Sequence, residues 1–178
     1  MNQFQTELDV ATIDYNQQIA IDLNACFKAT NPRIVVVDMM THGLLSYQFN
    51  QIMHESCQHM YLNCNSETTF NLLLKAPSDL YTTTPSSSFV EKAASFITKR
   101  FESQIGMTIS GITNTENNEN KVFIGYSFYN NIGSRIIECS GSEKIRYNQI
   151  INGVFGYLKM LFIKYPIIKK KEKTENGR

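Results

Sequence analysis

The sequence predicts an α/β protein, a three-layer α/β/α domain around a mixed sheet. Three observations carry that prediction. Ile34, Val35, Val36 and Val37 form an unbroken, β-branched apolar run ending in Asp38, the mark of a strand buried on both faces. Helical and strand patterns then alternate through the first half of the chain, as parallel βαβ units require. The last third is β-rich, with strands separated by a polar loop and a tight turn, which implies antiparallel pairing.

A chain of 178 residues is long enough for one full core and short for two. Residues 1–163 are therefore expected to form a single domain, and 164–178 a basic, disordered tail. Hydrophobic residues at 42% and charged residues at 19% describe an ordinary globular protein. With 17 Lys and Arg against 16 Asp and Glu, the net charge of +1 provides no electrostatic footprint for nucleic acid. Cys26, Cys57, Cys64 and Cys139 are scattered without a CxxC pair, and the opening MNQFQTELDV lacks the basic and apolar regions of a secretory signal. The expectation is a cytoplasmic protein with free thiols. The longest apolar stretch, 154–168, is broken by Lys159, Lys164 and Pro166, so no membrane span is expected.

Taken in order, residues 1–12 carry no pattern. Over 14–29, Ile19, Ile21, Leu23, Ala25, Cys26 and Phe27 fit an amphipathic helix that Asn31-Pro32 stops. The buried strand follows at 33–38. Met39, Met40, Thr41 and His42 lead to Gly43, and Leu44, Leu45, Phe49 and Ile52 recur at helical spacing in a helix expected over 42–55. Residues 57–61 read as a second strand, and Asn63, Asn65 and Ser66 as a polar link. A short helix at 68–75 ends before Pro77. The Thr/Ser/Pro-rich stretch 78–88 is a loop whose Ser86 N-caps a helix at 87–103, with Val90, Ala93, Ala94, Ile97 and Phe101 in one stripe. Strands at 106–112 and 122–128 flank a solvated loop, 114–120, without the glycines of a phosphate cradle. A strand at 134–139 follows the turn Asn130-Asn131-Ile132-Gly133. The last helix, 143–163, turns Ile145, Ile150, Val154, Tyr157, Leu158 and Leu161 inward.

The strand–turn–helix corner at 33–45 is where α/β proteins place a ligand or nucleophile. Thr41 and Gly43 suit exposed backbone N–H groups that bind an anion, but Thr41 serves equally well as a helix cap. Asp38 is a site carboxylate by position, or else hydrogen-bonded to its own turn. Met39 and Met40 read as packing under the sheet before they read as the lining of an apolar site. His54, Cys57 and His59, with Cys64 as a distant fourth, match no zinc spacing, so no metal is expected. Neither a nucleophile elbow nor a catalytic triad is spelled out.

Five stretches follow one another in a single spacing: DMMTHGLL, YLNCNS, SSSFVEKAA, TISGITNTENNENKVFIGYSF, and a helix entered by KIR. This spacing, over roughly residues 14–163, resembles the C-terminal domain of the CinA (competence/damage-inducible) family. The resemblance implies the α/β/α fold, a homo-oligomer, no cofactor, and nicotinamide mononucleotide amidohydrolase chemistry on a phosphate-bearing small molecule. The family's Glu-Ser-Cys-Thr-Gly-Gly falls on Asp38, Met39, Met40, Thr41, His42 and Gly43, so Met39 stands where the nucleophilic serine is implied and His42 replaces a glycine. If Tyr61 is the tyrosine of the Tyr-Ser-Asn motif, the partner lysine falls on Ser66. Thr-Gly-Ile-Ala-Gly-Pro becomes Ser110, Gly111, Ile112, Thr113, Asn114, Thr115, and the Lys-Pro-Val-Gly that follows in the family is missing. Of Gly-x-Arg-x-x-Ile-Arg, Ile145 and Arg146 match, with Ser142 in place of the first arginine.

Methionine has neither a proton to surrender nor an oxygen to attack with, so a serine–lysine mechanism cannot run through Met39 and Ser66. The resulting expectation is a catalytically degraded relative that retains nucleotide or anion binding through Asp38, Thr41, His42, Gly43, Ser110, Gly111 and Arg146. Two alternatives stay open. One is an active amidohydrolase with a relocated nucleophile, Thr41 or Ser66, with Lys75 or Lys121 as base and Tyr61 a further candidate. The other is a purely structural or interaction domain.

Overall fold

A computed structural model of the chain describes residues 17–53, 57–77, 79–114 and 119–167. The readings made for residues 1–12, for His54 and for the tail from 168 onward lie outside them. The elements run α1 (Gln17–Thr30), β1 (Ile34–Asp38), α2 (Leu44–Ile52), β2 (His59–Asn63), α3 (Glu67–Leu74), α4 (Ser87–Arg100), β3 (Ile105–Asn114), β4 (Glu119–Phe128), β5 (Asn131–Ser140) and α5 (Glu143–Lys164). No helix among the described residues is long and apolar enough to cross a membrane.

The sheet is mixed, in the order β2-β1-β3-β4-β5. β1 pairs in parallel with β2 on one side and β3 on the other, while β3, β4 and β5 form an antiparallel meander. The connection leaving β1 leads to one neighbour, and the chain later returns to the other. The carboxyl end of β1 is thus a topological switch point, where the diverging connections leave a crevice.

Every residue of β1 is buried, as its uninterrupted apolar run requires. Ile34 and Val36 join α1, α2 and α5 in one core, with Phe27, Phe49, Phe155 and Leu158. Val35 and Val37 face the other way into α3 and α4, against Phe70, Phe89, Val90 and Ile97. These two cores on one sheet make the three layers. On the second face the sheet offers glycines, and α4 comes close to its backbone. A Cβ on Gly125 would stand 2.2 Å from the Val90 carbonyl oxygen, and one on Gly106 would stand 2.7 Å from that of Ala94.

The elements differ from the sequence reading most at five places, each with a local cause, and of the expected tail 164–178, Lys164 closes α5 while Tyr165 and Ile167 pack against the core. α2 starts at Leu44 rather than His42, because His42 (φ 51) and Gly43 (φ 94) are both left-handed. β2 is shifted two residues downstream of 57–61, in the register that sets His59 opposite Ile34 and Asn63 opposite Asp38. The β4–β5 turn is Tyr129-Asn130, not 130–133. Both residues have positive φ (47 and 69), the two-residue loop that matches strand twist. The ladder of β3 and β4 runs on to the Asn114–Glu119 pair, so the expected loop 114–120 contracts to residues outside the described set. Ile145, expected inward, is 50% exposed, and Tyr147 takes the buried position in the first turns of α5.

Gly125→Ala tests the close seam between α4 and the sheet. Its methyl group meets helix backbone rather than a movable side chain, so the helix must lift. The expected cost is about 2–3 kcal/mol, read as a fall of roughly 5–10 °C in the thermal midpoint.

Candidate functional site

The corner after β1 is organised by one carboxylate. Asp38 is the last residue of the strand and 4% exposed. One of its oxygens accepts the backbone N–H groups of Met40 and Thr41, both at 2.9 Å, and the other accepts the Thr41 hydroxyl. The Thr41 oxygen in turn accepts the N–H of Leu45 at 3.0 Å, and the Thr41 carbonyl accepts that of Leu44 at 3.0 Å. The side chain of a fully buried threonine is thereby used as both donor and acceptor. These are the bonds of a helix cap and of a carboxylate folded onto its own turn. A negative group at the start of α2 also complements the helix dipole.

The two methionines go to opposite sides of the sheet. Met39 continues the ladder past β1, its N–H donating to the Ile109 carbonyl at 3.0 Å, and its side chain packs with the α3/α4 core. Met40 packs with the other core and lies across Gly111, where a Cβ would be 2.9 Å from the Met40 methyl carbon. His42 is exposed, its ring set edge-on against Tyr147 with centroids 6.3 Å apart. The Tyr147 hydroxyl donates to Glu143 at 2.7 Å, and burial first, then that bond, holds its pKa well above the usual phenol range. Between these parts lies a cavity of about 170 Å³, lined by Asp38, Met39, His42, Asn63 and Asn65.

Of the residues singled out in the sequence, the structure brings Asp38, Met39, Thr41, His42 and Gly43 together, with Gly111 under Met40. The others are elsewhere. Ser66 is the N-cap of α3, its hydroxyl accepting the Thr69 N–H at 3.2 Å. Tyr61 sits two positions back along β2, opposite Val36, with its ring against Phe49 at 5.3 Å and its pKa pushed well up by burial. Ser110 is buried opposite Phe123, one residue beyond the Ile109 that pairs with Asp38. The Arg146 guanidinium donates to the Gly141 carbonyl at 2.6 Å, bracing the entry to α5. Lys75 closes α3 in a left-handed conformation, and the Lys121 ammonium lies over the Phe123 ring. Neither lysine appears among the hydrogen-bond partners of Thr41 or Ser66.

Tyr147 and Glu143 reach the corner and were not singled out in the sequence. The signal available was their i, i+4 spacing beside Arg146. Among the described residues no group of three His, Cys, Asp or Glu side chains is placed to hold a metal ion. Burial pushes the Cys64 and Cys139 thiols up to about 11, so both are protonated at neutral pH rather than reactive thiolates.

No protein-family model and no curated protein sequence matches the chain. Solved structures do match it. The competence damage-inducible protein A from Klebsiella pneumoniae superposes with a TM-score of 0.71 at 12% identity, over 85% of this chain and 99% of that one. A CinA superfamily protein, also from Klebsiella pneumoniae, gives 0.69 at 13% identity, over 83% and 98%. A competence/damage-inducible protein from Agrobacterium tumefaciens gives 0.61 at 14% identity, over 83% and 93%. The fold is CinA-like. In this CinA-like chain the corner after β1 holds no free hydroxyl, and its thiol, that of Cys64, whose N–H donates to the Asp38 carbonyl at 3.0 Å, is fully buried. The groups that line the cavity can accept or donate hydrogen bonds to a small polar guest.

The cap can be tested by substitution. Thr41→Val keeps the shape and leaves both the Asp38 carboxylate oxygen and the Leu45 N–H without a partner. The expected loss is about 2–4 kcal/mol in urea unfolding. Thr41→Ser retains both bonds and is expected to cost about 1 kcal/mol for the lost methyl.

Proposed function

We propose that this chain is a catalytically silent CinA-like protein whose corner cavity binds part of a nicotinamide nucleotide or another phosphate-bearing small molecule without turning it over. The observation that carries this reading is the state of the Thr41 hydroxyl. It is buried, donates to Asp38 and accepts from Leu45, beside Met39 at the position matched to the family's serine. A nucleophile must present a free lone pair to substrate and have a base within reach of its proton. The Asp38 carboxylate does accept the Thr41 proton, but Thr41 is fully buried and so presents no lone pair to a substrate, and Ser66 is engaged as a helix cap.

Retained binding is supported by the hydrogen-bonding side chains of His42, Asn63 and Asn65 around the cavity. At about 170 Å³ the cavity takes a phosphate or carboxamide group rather than a whole nucleotide, for which sites start near about 300 Å³. That small volume, together with the absence of Lys or Arg among the lining residues, favours the second reading, a purely structural domain.

Two measurements on purified protein separate the readings. Ammonia release from nicotinamide mononucleotide is expected at background, and release that Thr41→Ala abolishes would overturn the proposal. Calorimetric titration with nicotinamide mononucleotide and its deamidated product is expected to give weak heats that His42→Ala reduces. Silence with both ligands leaves the structural reading.

A further inference from the structure

The outer edge of the sheet at β5 carries information that the corner does not. β5 is a ten-residue edge strand whose register against β4 is unbroken, and among the described residues no strand pairs with its outer side. Natural edges of this length are normally blunted by prolines, bulges or shortening. β5 shows none of these, its only charges are Arg135 and Glu138, and it exposes Ile132 (51%) and Ile136 (44%).

The parity of the edge is fixed by the hairpin. In a two-residue loop the flanking residues, here Phe128 and Asn131, form a hydrogen-bonded pair. Odd residues of β5 therefore address β4, and even residues point their N–H and C=O groups outward. Two bonds agree with this parity: the Ser140 N–H is taken by Gln149 at 2.9 Å, and the Ser134 carbonyl accepts the Tyr157 hydroxyl at 3.1 Å on one of its two lone pairs. Ile132, Ile136 and Glu138 remain as an outward ladder.

The geometry points to a two-fold dimer in which β5 pairs antiparallel with β5 of a second copy, Ser134 lying on the axis. Of the registers that keep the ladder in phase, the most central set the axis at Ser134, Arg135, Ile136 or Ile137, and the side chains choose among them. The one at Ile137 pairs Ser134 with the partner's Ser140, whose N–H is already held by Gln149. An axis at Arg135 sets two like charges face to face, which is destabilising. An axis at Ile136 calls on the Ser140 N–H, already held by Gln149. An axis at Ser134 sets Ile132 against the partner's Ile136 on the α4 side, and Gly133 against the partner's Arg135 on the other.

The same register brings opposite charges together. Beside Ile132 a groove of about 420 Å³ is lined by Glu91, Lys92, Phe96 and Lys99 of α4. Since Val90 lies over Gly125 and Ala94 over Gly106, α4 runs towards the Tyr129-Asn130 turn, and Lys99 stands at that end. Continuing past the partner's Ile136, the partner's Glu138 arrives opposite Asn130, next to Lys99. The symmetry repeats this pair. Glu91, which comes nearest the axis, is held by the Ser134 hydroxyl, with Lys92 lining the same groove.

The test is sedimentation velocity on the full chain, in reducing buffer. The wild type is expected to sediment as a dimer. Ile136→Pro removes only an outward N–H, which an edge strand tolerates, and is expected to give a monomer with an unchanged circular dichroism spectrum. Glu138→Lys should raise the dimer dissociation constant roughly tenfold, and adding Lys99→Glu should restore it. A wild-type monomer at about 100 µM overturns the proposal. So does a dimer indifferent to both Ile136→Pro and Glu138→Lys, or a charge reversal that fails to rescue.

Discussion

The structure turns on the Asp38 carboxylate. β1 is the one strand with parallel neighbours on both sides, so its carboxyl end is where three connections must diverge without leaving polar groups stranded. Asp38 answers this by accepting the N–H groups of Met40 and Thr41 and the Thr41 hydroxyl, which then caps α2 through Leu45. The backbone is carried through two left-handed residues, His42 and Gly43, before the helix begins. A non-glycine residue in that conformation costs on the order of 1 kcal/mol, and it persists because the bonds on either side fix the chain. Strand, turn and helix are one hydrogen-bonded unit.

From that unit the two layers follow. α2 leaves the corner on the face of α1 and α5, where bulky side chains such as Phe27, Phe49 and Phe155 fill the space between helix and sheet. On the opposite face the sheet presents Gly106 and Gly125, and α4 approaches closely enough that its own carbonyl groups occupy the place a Cβ would need. The same sheet thus uses two packing regimes. One is tolerant, with long side chains that can adjust; the other is tight, with backbone against backbone and little slack. Ala93 and Ala94 on α4 are the helix side of this seam.

How much of this was legible in the sequence depended on whether the signal was local. β1 announced itself because burial on both faces demands a continuous apolar run. Ser86 announced α4 because a cap is a chemical requirement of a helix end, and its hydroxyl does accept the Phe89 N–H. The fold class and the CinA-like likeness came from the order of such signals. The hairpin turn was misplaced because Asn130-Asn131-Ile132-Gly133 looks turn-like, whereas the loop is set by which residues pair across it, and Tyr129 in a left-handed conformation has no sequence signature. Ile145 was misassigned for the opposite reason: helical periodicity alone cannot say that the first turn of α5 is exposed, leaving Tyr147 to meet His42. At the corner the residue types were readable and the bonding was not. Thr41 as cap and Thr41 as anion contact have the same sequence, and only the Leu45 N–H and the Asp38 carboxylate distinguish them.

On the proposed reading, the bonding at the corner also accounts for a site that is without chemistry and keeps its architecture. A catalytic hydroxyl has to keep a lone pair open to substrate, and an active-site turn stores some instability for that reason. Once Met39 stands in the turn, nothing there needs to stay uncommitted. Its N–H completes the β1–β3 ladder at Ile109, its side chain adds apolar surface to the α3/α4 core, and Met40 covers Gly111 from the other face. Thr41 is then free to spend both of its hydroxyl bonds on Asp38 and Leu45. Each of these bonds leaves a buried polar group satisfied, which is what a stable switch point requires. What remains open to solvent is the rim formed by His42, Asn63 and Asn65, which lines a cavity and can bring hydrogen bonds to it.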